Sequence, residues 1–465
     1  MTPNITLAFA GVTHTALKRH LFPGDGNEAA AVLLCSASPG PRDRLIVREV
    51  IMVPHADCKR WPDYITWPGS YIEDAIDSAE ADGLTIVLLH SHPGGWLDFS
   101  SIDDDSDARV IPGLLEALGD RHGSAIMTPD GAVRARLYNR DMNCMPVDLV
   151  TVSGDDILYF WNDAIADGLL APRPLAFTGP MTKELSRLSA AVIGVSGTGS
   201  IVAEQLARLG FGQIVLIDYD LVEKKNLNRI LNSTTADAAA RRPKVEMFAD
   251  AIETYRGPGV ALPIDQTINS RDGVLAAAQC DLLFSCVDSQ EGRQILDLVC
   301  SAFVMPLFDV GVTIPTHEGN GAVEIIDVCG RVDYVQPGGA SLADRDVYTQ
   351  EGIRAEFLRQ TNSEAFEAEL ADGYIKGIVE EAPSVITLNM RAAAAVATEF
   401  LARVYAFRQE PNRHYARTKF SLADCEETYW SEDAFPSERD DLLGRGASEP
   451  LLGLPSLAAQ RRDAA

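Results

Sequence analysis

The sequence has 465 residues, 46% of them hydrophobic, which predicts two or three globular domains with substantial cores. It carries 67 Asp and Glu residues against 40 Lys and Arg residues, for a formal net charge of −27. Nucleic acids and anionic membrane surfaces are also negative, so the charge argues against both as partners and favours a basic one.

The cysteines and the N-terminus predict a cytoplasmic protein. Eight cysteines are scattered singly, without CxxC pairs, as is typical of reduced thiols and not of a tetracysteine zinc site. The chain starts without a basic leader or a long apolar core, and no run of about 18 apolar residues follows.

A possible metal site follows an apolar run in the first 150 residues. Residues 85–89 predict a buried strand that ends at His90, with His92 two positions later. The period of two along a strand points both imidazoles to one side. Ser100 and Asp103 follow. Two imidazoles and a carboxylate leave one zinc position open for water, which is typical of hydrolytic zinc.

The spacing H-x-H-P-x6-S-x2-D resembles the JAMM motif of the JAB/MPN metalloprotease family, which includes ubiquitin isopeptidases. The resemblance covers about residues 1–150. It implies that His90, His92 and Asp103 bind Zn²⁺ and that Ser100 stabilises the oxyanion. Two more aspartates follow directly, and the family spacing selects Asp103 among the three.

The same family requires a distant glutamate that activates water and protonates the leaving amine. It lies just before an early apolar strand. Glu28, ahead of residues 29–34, fits this description. Glu49, inside the strand-like residues 45–53, is the alternative, and we favour Glu28.

Residues 151–175 are predicted to form a linker. The stretch 155–169 is expected to be helical, and the proline-rich residues 171–174 are expected to make a stiff break before the next domain.

A glycine turn dominates the second half of the chain. An apolar strand ends at Ile193, the turn contains Gly194, Gly197 and Gly199, and residues 201–209 predict a helix. Such a strand, turn and helix can place backbone N–H groups against a phosphate. A second strand, 213–217, delivers Asp218, whose carboxylate can accept hydrogen bonds from ribose hydroxyls.

Polar residues after this strand favour a nucleoside triphosphate, because its phosphates need cations. They are Asp218, Asp220, Asn226, Arg229 and Lys244. This ordered set resembles the ubiquitin-activating (E1, ThiF, MoeB) adenylyltransferase family, over about residues 177–407.

The E1 resemblance implies ATP and Mg²⁺ as cofactors. Asp218 would hold the ribose, while Asn226, Arg229 and Lys244 would contact the phosphates. Asp288, which ends an apolar strand at 282–287, would bind Mg²⁺. Arg293 is expected to be an exposed helix residue.

The predicted fold class is therefore α/β. It comprises an N-terminal JAB/MPN cytidine-deaminase-like α/β domain over 1–150 and a Rossmann-like ThiF/E1 adenylation domain over 176–410. The acidic residues 411–465 are expected to form a partly disordered tail.

One position departs from the E1 pattern. Where relatives often carry a cysteine, this chain has Ser341. The reaction could stop at the acyl-adenylate, another cysteine could form a thioester, or Ser341 could accept the acyl group as an oxyester. The nearby Cys329 is expected to be a buried thiol.

The two resemblances together imply a bifunctional enzyme of ubiquitin-like conjugation, in which one domain cleaves and the other adenylates a modifier C-terminus. They imply a ubiquitin-like modifier, an E2-like protein and a homodimer, with no nucleic acid or membrane partner. The alternatives are sulfur-carrier activation of the ThiF or MoeB kind, and a non-catalytic regulator that binds a ubiquitin-like fold.

Overall fold

The computed structural model describes residues 3–319, 322–362, 366, 385–437 and 441–459. The chain divides into two compact units. The first unit contains residues 3–173, 301–304 and 440–465, and the second contains residues 174–300 and 305–439. No helix in the described ranges is both long and apolar enough to cross a membrane.

Among its described residues, the first unit contains three α-helices, α1 (Gly11–Leu21), α2 (Ser70–Asp82) and α3 (Ser101–Leu118). Its strands are β1 (Ile5–Ala10), β2 (Ala30–Ser38), β3 (Asp43–Met52), β4 (Lys59–Trp61), β5 (Tyr64–Thr66), β6 (Thr85–Ser91), β7 (His122–Met127), β8 (Val133–Tyr138), β9 (Cys144–Pro146), β10 (Leu149–Ser153), β11 (Ile157–Trp161), β12 (Ile165–Ala166) and β13 (Leu169–Leu170).

Nine of these strands form one sheet in the order β11-β10-β1-β3-β2-β6-β7-β8-β9. The central strands are apolar on both faces because helices cover both. On β2, Leu33 belongs to one buried cluster, and its neighbours Val32 and Leu34 belong to the other. This alternation follows from the two-residue period of a strand.

The predicted helix over residues 155–169 is wrong. Residues 157–161 form β11, which pairs antiparallel with β10 at the edge of the sheet. Their sequence, Ile-Leu-Tyr-Phe-Trp, is rich in residues that favour strands. Residues 165–170 then form the small β12–β13 hairpin. The predicted linker therefore contains folded strands, and the first unit extends to residue 173.

The second unit contains the helices α4 (Gly179–Leu185), α5 (Gly197–Leu209), α6 (Thr235–Ala240), α7 (Lys244–Arg256), α8 (Arg271–Ala277), α9 (Gln290–Ala302), α10 (Gln350–Thr361) and α11 (Ile386–Val404). Its strands are β14 (Ser189–Ile193), β15 (Gln213–Ile217), β16 (Ala261–Ile264), β17 (Leu282–Ser285), β18 (Leu307–Thr313), β19 (Thr316–Gly319), β20 (Ala322–Ile325), β21 (Cys329–Val335), β22 (Arg417–Ser421) and β23 (Glu426–Trp430).

The main sheet of this unit has the order β16-β15-β14-β17-β18-β21-β22-β23. Its first five strands are parallel, and β14 lies between β15 and β17. From β14 the chain continues to β15 and β16 on one side of it, and it then returns to β17 and β18 on the other side. Ligands of doubly wound sheets bind at such a switch point, beyond the carboxyl ends of the strands.

Much of the segment 411–465, which the sequence predicts to be a partly disordered tail, is folded. Residues 417–421 and 426–430 are the last two strands of the sheet. Residues 441–459 pack in the first unit, where Leu451, Leu452 and Leu457 are buried. Residues 438–440 and 460–465 lie outside the described residues.

Candidate functional site

Strand pairing explains how an early glutamate reaches the two histidines. In the antiparallel pair β2–β6, Ala30 lies opposite His90. Continuing this register by two residues places Glu28 opposite His92. The ligand atoms of Glu28, His90 and His92 all lie within 4.8 Å of one another. Glu49 is exposed on β3, opposite Leu34, so the structure brings Glu28 to the histidines and not Glu49.

Asp103 completes the cluster. Its two carboxylate oxygens lie 3.0 Å from His90 Nε2 and 3.5 Å from His92 Nε2, and the two nitrogens are 3.1 Å apart. The next aspartate, Asp104, points elsewhere and pairs with Arg136 at 2.6 Å. Two imidazole nitrogens and a carboxylate that converge on one point are a donor set suited to Zn²⁺.

Ser100 orients this carboxylate. It is the N-cap of α3, where its backbone N–H donates to Asp103 Oδ2 at 2.6 Å and its hydroxyl oxygen accepts from the Asp103 N–H at 3.3 Å. This reciprocal capping box fixes the start of the helix and the rotamer of Asp103 together. The predicted spacing between serine and aspartate thus has a structural cause.

Burial and charge set the protonation preferences of the cluster. Burial raises the pKa of Glu28 to about 8, with a contribution from the Asp103 charge and against the effect of His92. Burial alone would raise the pKa of Asp103, but hydrogen bonds from both histidines hold it below its usual range. Burial lowers the pKa of His92, and the Asp103 carboxylate and the Trp96 carbonyl outweigh this and raise it. The two carboxyl groups therefore differ in role, one charged and one able to hold a proton.

The glycine turn after β14 is closed against its own backbone and against α11. A Cβ on Gly199 would lie 1.8 Å from the carbonyl oxygen of Gly194. A Cβ on Gly197 would lie 2.3 Å from Nδ2 of Asn389, a fully buried residue of α11. The sequence predicts that these glycines let the backbone approach a phosphate. In the structure, close packing alone already excludes a larger side chain at Gly197 and Gly199.

Asp218 holds the turn from the neighbouring strand. Its carboxylate accepts hydrogen bonds from the N–H groups of Val195 at 2.7 Å and Asp220 at 2.8 Å. Burial raises the pKa of this carboxyl group, although Lys244 opposes the shift. The predicted ribose ligand therefore also links the glycine turn to the end of β15.

The predicted phosphate-binding residues lie beside this edge. The Lys244 ammonium is buried and donates to Asp220 at 2.6 Å. The Arg229 side chain passes Gly197, with Cδ 3.1 Å from where a Cβ on that glycine would be. The buried Asn226 accepts from the Glu223 N–H at 2.9 Å. The structure thus brings Arg229 to the glycine turn and Lys244 to Asp220.

Asp288 is exposed just beyond β17, and Arg293 holds its backbone. Arg293 Nη2 donates to the Val287 carbonyl at 2.9 Å, and Nη1 donates to the Asp288 carbonyl at 3.4 Å. Its Nε contacts the fully buried Asp309 at 3.3 Å. The expectation of an exposed arginine is wrong, because only 13% of this side chain is exposed. A carboxylate inside the apolar run Leu-Phe-Asp-Val was the missed signal, since a buried charge needs a partner.

Glu356 of α10 holds the same segment from its amide side. Its carboxylate accepts from the Gln290 N–H at 2.8 and 2.9 Å and from the Glu291 N–H at 3.3 Å, at the first turn of α9. A carboxylate is favoured there by the helix dipole and by the otherwise unpaired N–H groups. No feature of the sequence predicted this contact.

Ser341 lies in a turn with defined contacts. Its hydroxyl donates to Asp344 Oδ2 at 2.8 Å, and the Asp344 N–H donates back to the hydroxyl oxygen at 3.0 Å. The buried Asp297 of α9 accepts from the next N–H, that of Leu342, at 3.1 Å. Cys329 is 6% exposed, and burial raises the pKa of its thiol, which disfavours the nucleophilic thiolate.

Comparison with known proteins identifies both halves of the chain. The model of the ThiF family matches residues 173–431, more than half of the sequence, and the model of prokaryotic homologs of the JAB domain matches residues 12–140. The ubiquitin-like modifier-activating enzyme 5 of Culex quinquefasciatus is 31% identical over 169 residues, 34% of this chain and 39% of that protein. The enzyme of the same name from Caenorhabditis elegans is 32% identical over 160 residues, 32% of this chain and 35% of that protein.

The match thus spans between a third and two fifths of the length of these relatives. Among solved structures, E. coli MccB with ATP is similar at 15% identity and a TM-score of 0.41, covering 57% of this chain and 67% of that one. PaaA is similar at 17% identity and a TM-score of 0.40, covering 55% and 77%. The chain belongs to the ThiF family and carries a prokaryotic JAB domain ahead of its ThiF, E1-like domain.

Proposed function

We propose that this protein is a bifunctional enzyme of ubiquitin-like conjugation. Its ThiF domain adenylates the C-terminal carboxylate of a ubiquitin-like protein, and its JAB domain cleaves peptide or isopeptide bonds at the same kind of terminus. The proposal is carried by the presence of both sites in one chain. In the second unit, the glycine turn follows β14, and the neighbouring strands β15 and β17 lead to Asp218 and Asp288. In the first unit, Glu28 and Asp103 lie beside His90 and His92.

In adenylation, a carboxylate oxygen of the modifier attacks the α-phosphorus of ATP, and pyrophosphate leaves. The reaction needs two anions to be positioned and the charge on the leaving group to be balanced. Asn226, Arg229 and Lys244 would contact the phosphates, and Asp218 would hold the ribose. Asp288 would hold Mg²⁺ at the exposed end of β17.

In cleavage, His90, His92 and Asp103 would hold Zn²⁺, which supplies a Lewis acid and an acidified water. Glu28 accepts a proton from water at its carboxylate and passes it to the leaving amine. Its place beside both histidines suits a group that accepts this proton and then releases it. Ser100 lies beside Asp103 and would stabilise the oxyanion.

Ser341 is the proposed acceptor if the acyl group moves on from the adenylate. Its Oγ would attack the acyl carbon, AMP would leave, and the hydroxyl proton would pass to Asp344, 2.8 Å away. This proximity to a carboxylate meets the need of an alcohol for a general base. An adduct that forms with wild type and is absent from Ser341→Ala would support the oxyester, and an adduct retained in that variant would point to another residue.

The proposed setting is a cytoplasmic homodimer that transfers the modifier to an E2-like partner. The first test is ATP–pyrophosphate exchange with small ubiquitin-like proteins that end in Gly-Gly, together with zinc analysis of the purified chain. Exchange that depends on Asp288, and about one zinc per chain that is lost in His92→Ala, are expected. Absence of exchange with every candidate would contradict the adenylation half, and absence of zinc would contradict the cleavage half.

A further inference from the structure

A short hairpin beyond the JAB match lies next to the candidate metal centre. The JAB model ends at residue 140 and the ThiF model begins at residue 173. Between them, β12 and β13 form a hairpin in which Ala166 pairs with Leu169. Its two turn residues, Asp167 and Gly168, have φ of 48° and 73°, as a two-residue type I′ turn requires.

This hairpin packs against the loop that follows the histidines. Ile165 and Leu170 contact the buried cluster that contains Leu97. The Leu97 N–H donates to the carbonyl oxygen of Gly168. The hairpin is therefore joined to the loop by apolar packing and by a backbone hydrogen bond, and Leu97 is only 1% exposed.

The indole ring of Trp96 occupies the space that a side chain at residue 168 would need. A Cβ on Gly168 would lie 2.1 to 2.4 Å from three carbons of that ring. The ring cannot remain in place above any other residue. Glycine at this position is required twice, by the positive φ and by the ring.

Trp96 in turn orients a candidate zinc ligand. Its carbonyl oxygen lies 2.8 Å from Nδ1 of His92, whose Nε2 faces Asp103. Donation from Nδ1–H to this carbonyl leaves the Nε2 lone pair free for a metal, since a neutral imidazole has one donor and one acceptor nitrogen. Outer contacts of this kind set the tautomer and orientation of metal-bound histidines.

We propose that the β12–β13 hairpin is a positioning element of the metal centre, acting through Gly168, the Trp96 ring and the Trp96 carbonyl on His92. The inference rests on the proposed function, because it assumes that the cluster binds Zn²⁺. It assigns a role in the metal site to residues that lie outside the JAB match.

The test is the zinc affinity of the full chain, measured by competition with a chromophoric chelator. Gly168→Ala is expected to weaken zinc binding about tenfold, the low end of the effect of outer-shell changes. The control is Gly83→Ala, where φ is 64° and nothing lies within 4 Å of the added Cβ. It introduces similar backbone strain without the clash, and zinc affinity is expected to stay within about twofold of wild type.

Trp96→Ala gives an independent measurement, because it keeps the carbonyl that faces His92 and removes the half-exposed ring that packs at Gly168. It is expected to weaken zinc binding about threefold to tenfold, and adding Gly168→Ala to it is expected to cause little further loss, since the clash is gone. Unchanged affinity in both single variants would overturn the inference. Wild-type protein that binds no zinc would instead refute the proposed metal site, so the two failures are distinguishable.

Discussion

The two candidate sites are built in opposite ways. In the JAB unit, contacts of 3.0 to 3.5 Å join His90, His92 and Asp103, and the ligand atom of Glu28 lies within 4.8 Å of those of both histidines. In the ThiF unit, the polar residues are spread along the edge of a sheet, and Asp218 and Asp288 lie beyond different strands. The first site is a compact set of converging ligand atoms, whereas the second is a loop framework held by backbone contacts.

The two sites are therefore sensitive to different kinds of substitution. A converging shell fails when one ligand is removed, because the remaining donors cannot replace it. A loop framework held by backbone contacts loses activity when the loop moves. The loss caused by removing one contact depends on how strongly that contact holds the loop. Changes in one unit are expected to leave the chemistry of the other intact.

The largest effect is expected from His92→Ala. Removing one of two imidazole ligands should abolish zinc binding and zinc-dependent cleavage, while ATP–pyrophosphate exchange remains at the wild-type rate. Metal analysis and cleavage of a ubiquitin-like protein with a C-terminal extension are the measurements. Full cleavage by this variant would rule out the assigned metal centre.

Gly199→Ala is expected to displace the glycine turn of the second site. The added Cβ would lie 1.8 Å from the Gly194 carbonyl oxygen, so the turn must move, and a displacement of about 1 Å can cost about a hundredfold in rate. Pyrophosphate exchange is expected to fall by at least that factor while zinc content is unchanged. Gly179→Ala, at the start of a helix with nothing within 4 Å of its Cβ, is the matched control. Exchange at the wild-type rate in Gly199→Ala would show that this turn does not carry the nucleotide.

Arg293→Lys tests one contact that holds the Asp288 segment. Lysine cannot reproduce the fork that joins Asp309 to two carbonyl groups, so Asp288 should lose its fixed position. We expect about a tenfold rise in the Mg²⁺ concentration that gives half-maximal exchange. Arg208→Lys changes an exposed arginine paired with Glu204 and is expected to leave this value unaltered. Equal Mg²⁺ dependence in the two variants would show that Arg293 does not position Asp288 for the metal.

Glu356→Gln should have the smallest effect. It removes one charge at the first turn of α9, an interaction of roughly 0.3–1 kcal/mol, while the amide oxygen can still accept hydrogen bonds. A twofold to fivefold loss of exchange is expected, with zinc binding unaffected. Glu351→Gln, an exposed position in the first turn of the same helix α10, is the charge-matched control. A loss of the same size in Glu351→Gln would assign the effect to overall charge and not to the cap.

Much of the first site could be predicted because short-range spacing fixes it. The two-residue interval from His90 to His92 sets their common side on a strand, and the three-residue interval from Ser100 to Asp103 is that of a capping box. Glu28 could be chosen over Glu49 only by resemblance, since the deciding β2–β6 register is a long-range property.

The errors of prediction share a physical cause. Asp167-Gly168 carries a hairpin signal, but the sequence predicts a helix for the preceding residues because their pairing with strand β10 does not show in local periodicity. The acidic segment around Glu426 becomes strand β23 because β22 supplies its hydrogen bonds. Arg293, on helix α9, is partly buried because Asp309 of strand β18 offsets its charge. In each case the conformation depends on pairing with another element, which the periodicity of the segment itself does not show.

One substrate can test whether the chain both trims and adenylates a ubiquitin-like protein. A ubiquitin-like protein extended beyond its Gly-Gly terminus is incubated with ATP, Mg²⁺ and the zinc-loaded chain, and its products are followed by mass spectrometry. We expect trimming followed by adenylation with wild type and trimming alone with Asp288→Ala. With His92→Ala we expect neither product from the extended substrate, and adenylation only of a substrate that is already trimmed. Trimming by His92→Ala, or adenylation by Asp288→Ala at the wild-type rate, would contradict it.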